Sequence, residues 1–126
     1  MNAHFDFGEH VVIVTGAAGN LGRAVADAFA HAGATVVAVD HRSGRLAQRL
    51  PALTNSAHLL ADGVDVSNPD DAERLVAQVM ERFGRIDVLV NAAGGFAGGK
   101  PVHEAPLDEW EKMISLNLRT ALVMSR

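Results

Sequence analysis

The stretch Val11–Gly22, VVIVTGAAGNLG, decides the fold. Val11–Val14 is an unbroken β-branched run, the pattern of a strand buried on both faces rather than one with alternating sides. Thr15-Gly16 ends it. From about Asn20 to Ala32, Leu21, Ala24, Val25, Ala28 and Phe29 recur at helical spacing, and Gly33 closes the segment. A second β-branched run, Thr35–Val39, ends on Asp40. Strand, glycine turn, helix, strand and acid therefore follow one another in direct succession.

The same alternation continues outward. Ser43 is placed to cap a short helix carrying Leu46 and Leu50, which Pro51 stops. His58–Val66 is an ambiguous third strand, because Ala61-Asp62-Gly63 interrupts its apolar residues. Pro69–Phe83 reads as a well-marked helix, with Ser67 or Asn68 as cap and Asp70, Asp71 and Glu73 near its positive end. Ile86–Val90 is a fourth strand, with Asp87 its only charge, and Gly94–Pro106 is a glycine-rich loop. Pro106 onward is expected to be helical to the end, with Leu107, Trp110, Met113, Ile114, Leu118, Ala121 and Leu122 as an apolar face buried in the core. At the other end, Phe5 and Phe7 alternate with polar residues, as in an extended lead-in laying two rings on a sheet edge. Buried strands joined by helices imply right-handed crossovers onto a parallel sheet. The expected fold class is α/β, a doubly wound parallel sheet in the order 3-2-1-4, forming one domain over residues 1–126.

Composition narrows the chemistry. The chain has 126 residues, 48% of them hydrophobic and 21% charged, which excludes disorder and fibrous repeats. With no Cys there is no disulfide, thiolate nucleophile or Cys-based metal site. A net charge of −4 disfavours general binding to nucleic acid or anionic membranes. No stretch is long and apolar enough to span a bilayer, and MNAHFDFGEH lacks the basic and apolar regions of a secretory signal, so a cytoplasmic protein is expected. Tyr is absent, so no phenol in these residues can act as an acid.

Glycines at the start of a helix let backbone N–H groups approach a pyrophosphate where a Cβ would collide, and the helix end adds partial positive charge. Gly16 is expected to make the tight turn, Gly19 to admit the phosphates, and Gly22 to let the helix pack on the strands. A carboxylate at Asp40 can accept both hydroxyls of an adenosine ribose. Gly-rich turns also arise for conformational reasons alone. Here the strand–turn–helix–strand–acid setting supplies the context the motif requires. Arg42 could grip a 2′-phosphate, but Asp40 would repel that dianion, so NAD is expected over NADP.

These residues resemble the short-chain dehydrogenase/reductase family. Thr15-Gly16-Ala17-Ala18-Gly19-Asn20-Leu21-Gly22 is similar to its cofactor turn, and Asp65-Val66 to its segment contacting adenine after the third strand. Asn91-Ala92-Ala93-Gly94 looks like the motif that supports the family's sheet and lines the nicotinamide side. Asn117 falls where the family has a helix Asn that holds a water in a proton relay, or it simply bonds a neighbouring backbone group. The resemblance implies hydride transfer between a nicotinamide cofactor and a small alcohol or carbonyl substrate, in a homo-oligomer. Two departures stand out. Asn20 occupies a position that is Gly in the compact branch of the family, where Asn is the side chain best able to take a left-handed backbone. The family's catalytic Ser and Tyr-x-x-x-Lys have no counterpart among these residues, so the expected reading is a cofactor-binding portion ending after the helix that follows strand 4, inactive by itself. The alternative is a non-catalytic dinucleotide sensor or assembly module. The six His residues show no ligand spacing, so no metal is expected; His103 and Lys100 read as solvated loop residues.

Overall fold

The computed structural model describes residues 3–126. Four parallel strands, β1 (Val11–Thr15), β2 (Thr35–Asp40), β3 (Leu59–Asp62) and β4 (Val88–Val90), lie in the order β3-β2-β1-β4. The helices between them are α1 (Asn20–His31), α2 (Arg45–Arg49) and α3 (Pro69–Phe83). After β4 come α4 (Leu107–Ile114), a π-helical turn (Ser115–Arg119) and α5 (Thr120–Ser125). Val11 pairs with Thr35, Val37 with Leu59 and Val12 with Val88, so the doubly wound order expected from the alternation is the one found.

The unbroken apolar runs follow from burial on two sides. Val12, Val14, Val36 and Ala38 face a core layer built with Ala26, Leu46 and Leu50. Val11, Ile13, Val37 and Val39 face the opposite layer with Leu75 and Val79. Each fully buried Val, Ile or Leu contributes about 1.5–3 kcal/mol, which makes the β1–β2 pair the anchor of the sheet.

Helix ends follow local chemistry. Asn68 caps α3, its Oδ1 accepting from the N–H groups of Asp70 (2.9 Å) and Asp71 (3.3 Å). Ser67 instead donates to Asp65 Oδ1 at 2.6 Å. Ser43 does not cap α2: Gly44 holds that place at φ +73°, with no side-chain cap. Gly63, at φ +69°, stops β3 after four residues.

Three expectations need correction. β4 is shorter than Ile86–Val90 because Asp87 substitutes its side chain for the ladder: Oδ2 accepts from Val11 N–H at 2.8 Å while Arg85 holds the carboxylate from outside. Phe7 packs edge-on against Phe29 of α1, with centroids 4.9 Å apart, not on a sheet edge, and Phe5 is exposed. The stripe Leu107, Trp110, Ile114, Leu118 and Leu122 is not core but faces outward. The opposite side of that helix, including buried Thr120, meets the rest of the fold.

His58 extends the β2–β3 ladder by one bond, its Nδ1 accepting from Val36 N–H at 3.0 Å. Burial holds this imidazole below its ordinary pKa of 6.5. The unfolded chain therefore binds more protons than the folded one below about pH 6.5, and stability present above that value drains away as pH falls through the window beneath it. Replacing His58→Asn keeps an acceptor and removes the titration. Urea melts at pH 7 and pH 5 should show wild type losing more stability than the variant over this interval; equal losses would show that the ring's protonation is not coupled to folding.

Candidate functional site

The C-terminal ends of the strands open on a cleft of about 670 Å³. It lies where successive connections leave the sheet in opposite directions, between β1 and β4, the place where open α/β sheets leave room for a ligand. One wall is the glycine turn and the start of α1. Asp40 with Arg42 and the segment Val64–Ser67 form a second wall; Ala92–Gly94 and the π-helical turn form the third.

The turn is fixed by protein contacts on its own side. Gly16 takes φ +62°, and a Cβ there would lie 2.7 Å from the Ala92 carbonyl oxygen. Ala17 N–H donates to Val39 O at 3.0 Å, Ala18 N–H to Asp40 Oδ2 at 3.1 Å, and Gly19 N–H to Gly16 O at 3.0 Å. The next N–H groups belong to Asn20, Leu21 and Gly22 at the first turn of α1. A helix leaves these donors without internal partners, and Gly19 provides no side-chain cap. Gly22 is needed by the turn itself, because its Cβ would fall 2.2 Å from Gly16 O. Gly19 differs: its φ is −79°, and its Cβ would meet only Gly16 O, at 3.2 Å. A Cβ there needs Gly16 O to give by only a few tenths of an ångström, far less than at Gly16 or Gly22, and the missing side chain leaves the cleft open.

Asp40 is 3% exposed. Its Oδ1 accepts from Arg42 N–H at 3.0 Å and Arg42 Nε at 3.1 Å. Burial pushes the carboxyl up, but the hydrogen bonds from Arg42 and from Ala18 N–H outweigh it and hold the group below the ordinary carboxylate value. Asp65 is drawn down chiefly by the Ser67 hydroxyl, which it accepts within a tight local turn. Arg119 Nε donates to Ser67 O at 2.9 Å, tying the π-helical turn to this wall.

Of the residues singled out from sequence, Gly16, Gly19, Asn20, Leu21, Gly22, Asp40, Asp65, Val66, Ala92, Ala93 and Gly94 converge on the cleft. Three stand behind it. Thr15 Oγ1 accepts from Ala93 N–H at 3.1 Å and lies 3.4 Å from Val90 O, joining β1 to the segment after β4. Asn91 donates to Ser125 Oγ at 3.2 Å. Asn117 clasps the Gly95 backbone, accepting from its N–H and donating to its carbonyl, both at 3.0 Å. Asn20 is helical rather than left-handed, and its Oδ1 accepts from Arg49 at 2.8 Å. Lys112, Ser115, Leu116 and Thr120 also line the cleft and were missed. Their spacing on one helix side was available as a signal, but the apolar stripe on the other side masked it.

A parallel sheet wound this way, with a helix start and a glycine turn at its switch point, is a Rossmann-like nucleotide-binding architecture. The family model for short chain dehydrogenases matches residues 10–126, and the chain belongs to that family. It is 38% identical to a 3beta-hydroxysteroid dehydrogenase of Mediterraneibacter gnavus over 95% of this chain and 44% of that protein. A crystal structure of a short-chain dehydrogenase/reductase (glucose/ribitol dehydrogenase) from Brucella melitensis superposes with a TM-score of 0.86 at 35% identity, over 98% of this chain and 52% of that one. A 3-ketoacyl-(acyl-carrier-protein) reductase from the same organism, complexed with NADH, gives 0.83 at 28% identity, over 94% and 48%. The chain spans about half the length of the curated relatives it matches. Among the described residues no helix is long and apolar enough to cross a membrane, and no cluster of three or more His, Asp or Glu side chains is placed to hold a metal ion.

The two glycines of the turn separate by stability. Gly22→Ala should cost about 2 kcal/mol or more, because backbone must move to admit the Cβ, whereas Gly19→Ala should cost under about 1 kcal/mol. Urea unfolding of the two variants checks the order.

Proposed function

We propose that this chain binds NAD and forms the cofactor-holding part of an oxidoreductase that interconverts an alcohol and a carbonyl compound. The observation that carries the reading is the run of three unpartnered N–H groups, Asn20 to Gly22, beside a Gly19 whose backbone neighbours constrain it less than those of Gly16 and Gly22. These donors and the positive end of α1 would hold the pyrophosphate. Asp40 would accept the ribose hydroxyls, Asp65 and Val66 would meet the adenine, and Asn91 to Gly94 would support the nicotinamide side. When bound, the cofactor supplies a hydride donor or acceptor.

The chain's own groups orient and exclude. Thr15 fixes the segment after β4 against β1, and Asn117 holds Gly95 so that Gly94 stays close to the cleft. In the whole enzyme Asn117 would belong to the path that delivers a proton to the substrate oxygen. Hydride transfer needs such a proton donor with a matched pKa, and these residues contain no Tyr to provide it. The 126 residues alone are therefore expected to bind cofactor without turnover. The outward apolar stripe on α4 and α5 supports assembly of several copies.

Arg42 modifies the choice of cofactor. Its guanidinium occupies Asp40 and must turn away before a ribose can bind, which its 43% exposed side chain permits. Once Arg42 leaves, the carboxylate is free to accept hydroxyls and to repel a 2′-phosphate. Calorimetric titration should give tighter binding of NAD than NADP. Asp40→Ala should weaken NAD by roughly tenfold or more, the scale of charged hydrogen bonds, and weaken NADP less, because NADP loses only the anchoring of Ala18 and is freed from the repulsion. Equal affinities in the unmodified protein would overturn the role of Asp40. Gly19→Ala should reduce binding of both cofactors while the fold persists, and unchanged binding would remove the phosphate assignment.

A further inference from the structure

The geometry points to Arg49 as a positioning residue of the glycine turn, one that keeps the Asn20 side chain off the anion-binding N–H groups of α1. This inference rests on the nucleotide reading above. Arg49 ends α2, a helix anchored by fully buried Leu46 and Leu50 on either side of it in sequence. From there it reaches across to the turn, Nε donating to Ala18 O at 3.2 Å and Nη2 to Asn20 Oδ1 at 2.8 Å. It forms no ion pair among the described residues, so its two observed side-chain bonds both go to the turn.

Asn20 makes such a partner necessary. An Asn at the first position of a helix carries a short acceptor beside unpaired N–H groups, and Asn side chains readily bond backbone donors one or two residues on. Left free, Oδ1 could take an N–H of Leu21 or Gly22 and place its own partial negative charge where a phosphate oxygen must sit. Arg49 holds that oxygen on the outer side of the turn. The same guanidinium engages the Ala18 carbonyl, whose residue donates its N–H to Asp40, so one side chain fixes the turn between its two ligand-facing parts. The arrangement accounts for a polar side chain standing at the helix start without blocking it.

A double-mutant cycle tests this, with ADP and adenosine as probes measured by calorimetry. Arg49→Leu should weaken ADP about five- to tenfold, the worth of one competing hydrogen bond, and leave adenosine within twofold, because adenosine carries no phosphate. In an Asn20→Gly background the same Arg49 substitution should change ADP affinity less than twofold, since the competing oxygen is gone. Arg49→Gln, with the same expected pattern, replaces Arg49→Leu if the latter fails to fold by circular dichroism. An equal loss of ADP binding with Asn and with Gly at position 20 would overturn the role, reducing Arg49 to a general positive charge. So would a parallel loss of adenosine binding, which would mark a collapsed turn. ADP binding by wild type that is unaffected by Arg49→Leu would overturn the Arg49 role alone. Failure of ADP to bind wild type at all would remove the nucleotide reading and this inference with it.

Discussion

The buried carboxylate of Asp40 is the constraint on which the cleft depends. One oxygen receives the Ala18 N–H of the glycine turn and the other receives the backbone and side chain of Arg42, so one group joins β1's turn to the end of β2 and to the approach of α2. A charge this buried is tolerable only with its lone pairs occupied, and the bonds from Ala18 and Arg42 occupy them and hold the carboxyl below its ordinary value. Remove the carboxylate and the turn keeps the Ala17 bond to Val39 but loses the one that aims Ala18. The neighbouring glycines then matter in a different way. Gly16 and Gly22 are demanded by backbone under 3 Å from where a Cβ would stand, while a Cβ at Gly19 would make one tight contact, 3.2 Å from Gly16 O.

How far the sequence disclosed this follows from range. β1, α1, β2 and α3 were readable because each is decided by its own pattern: a β-branched run, a helical period, an Asn cap ahead of Pro69. The strand order followed from crossover handedness. Features set by partners far along the chain were not readable. The start of β4 is cut short by a carboxylate bonding Val11, 76 residues away. Asn20 was expected to need a left-handed backbone, yet it is helical and is held by Arg49 from the next helix, a pairing no local pattern signals. The apolar period of the last helix was read correctly as a period and assigned to the wrong side. Amphipathicity gives the direction of a stripe but not what stands opposite it.

The π-helical turn at Ser115–Arg119 shows how a small irregularity organises one wall of the cleft. A π turn inserts an extra residue per hydrogen-bonded ring and so rotates the side chains that follow relative to a regular helix. Within it, Asn117 reaches Gly95 and Arg119 reaches Ser67, so five residues touch two separate loops. A regular helix through the same residues would present these two side chains at different angles. The segment therefore couples the loop after β4 to the loop after β3, which face each other across the cleft.

Electrostatics reconcile the chain's acidity with the anionic ligand proposed for it. The net charge is −4, but His41–Arg49 carries three Arg residues and no acid. At physiological ionic strength charges farther than about 8 Å are largely screened, so a bound diphosphate feels its immediate surroundings rather than the total. Those surroundings are the positive end of α1, Arg49 against the turn, Lys112 on the opposite wall, and an Asp40 already neutralised by Arg42. Swinging Arg42 aside to admit a ribose exchanges one charged hydrogen-bond set for another on the same carboxylate.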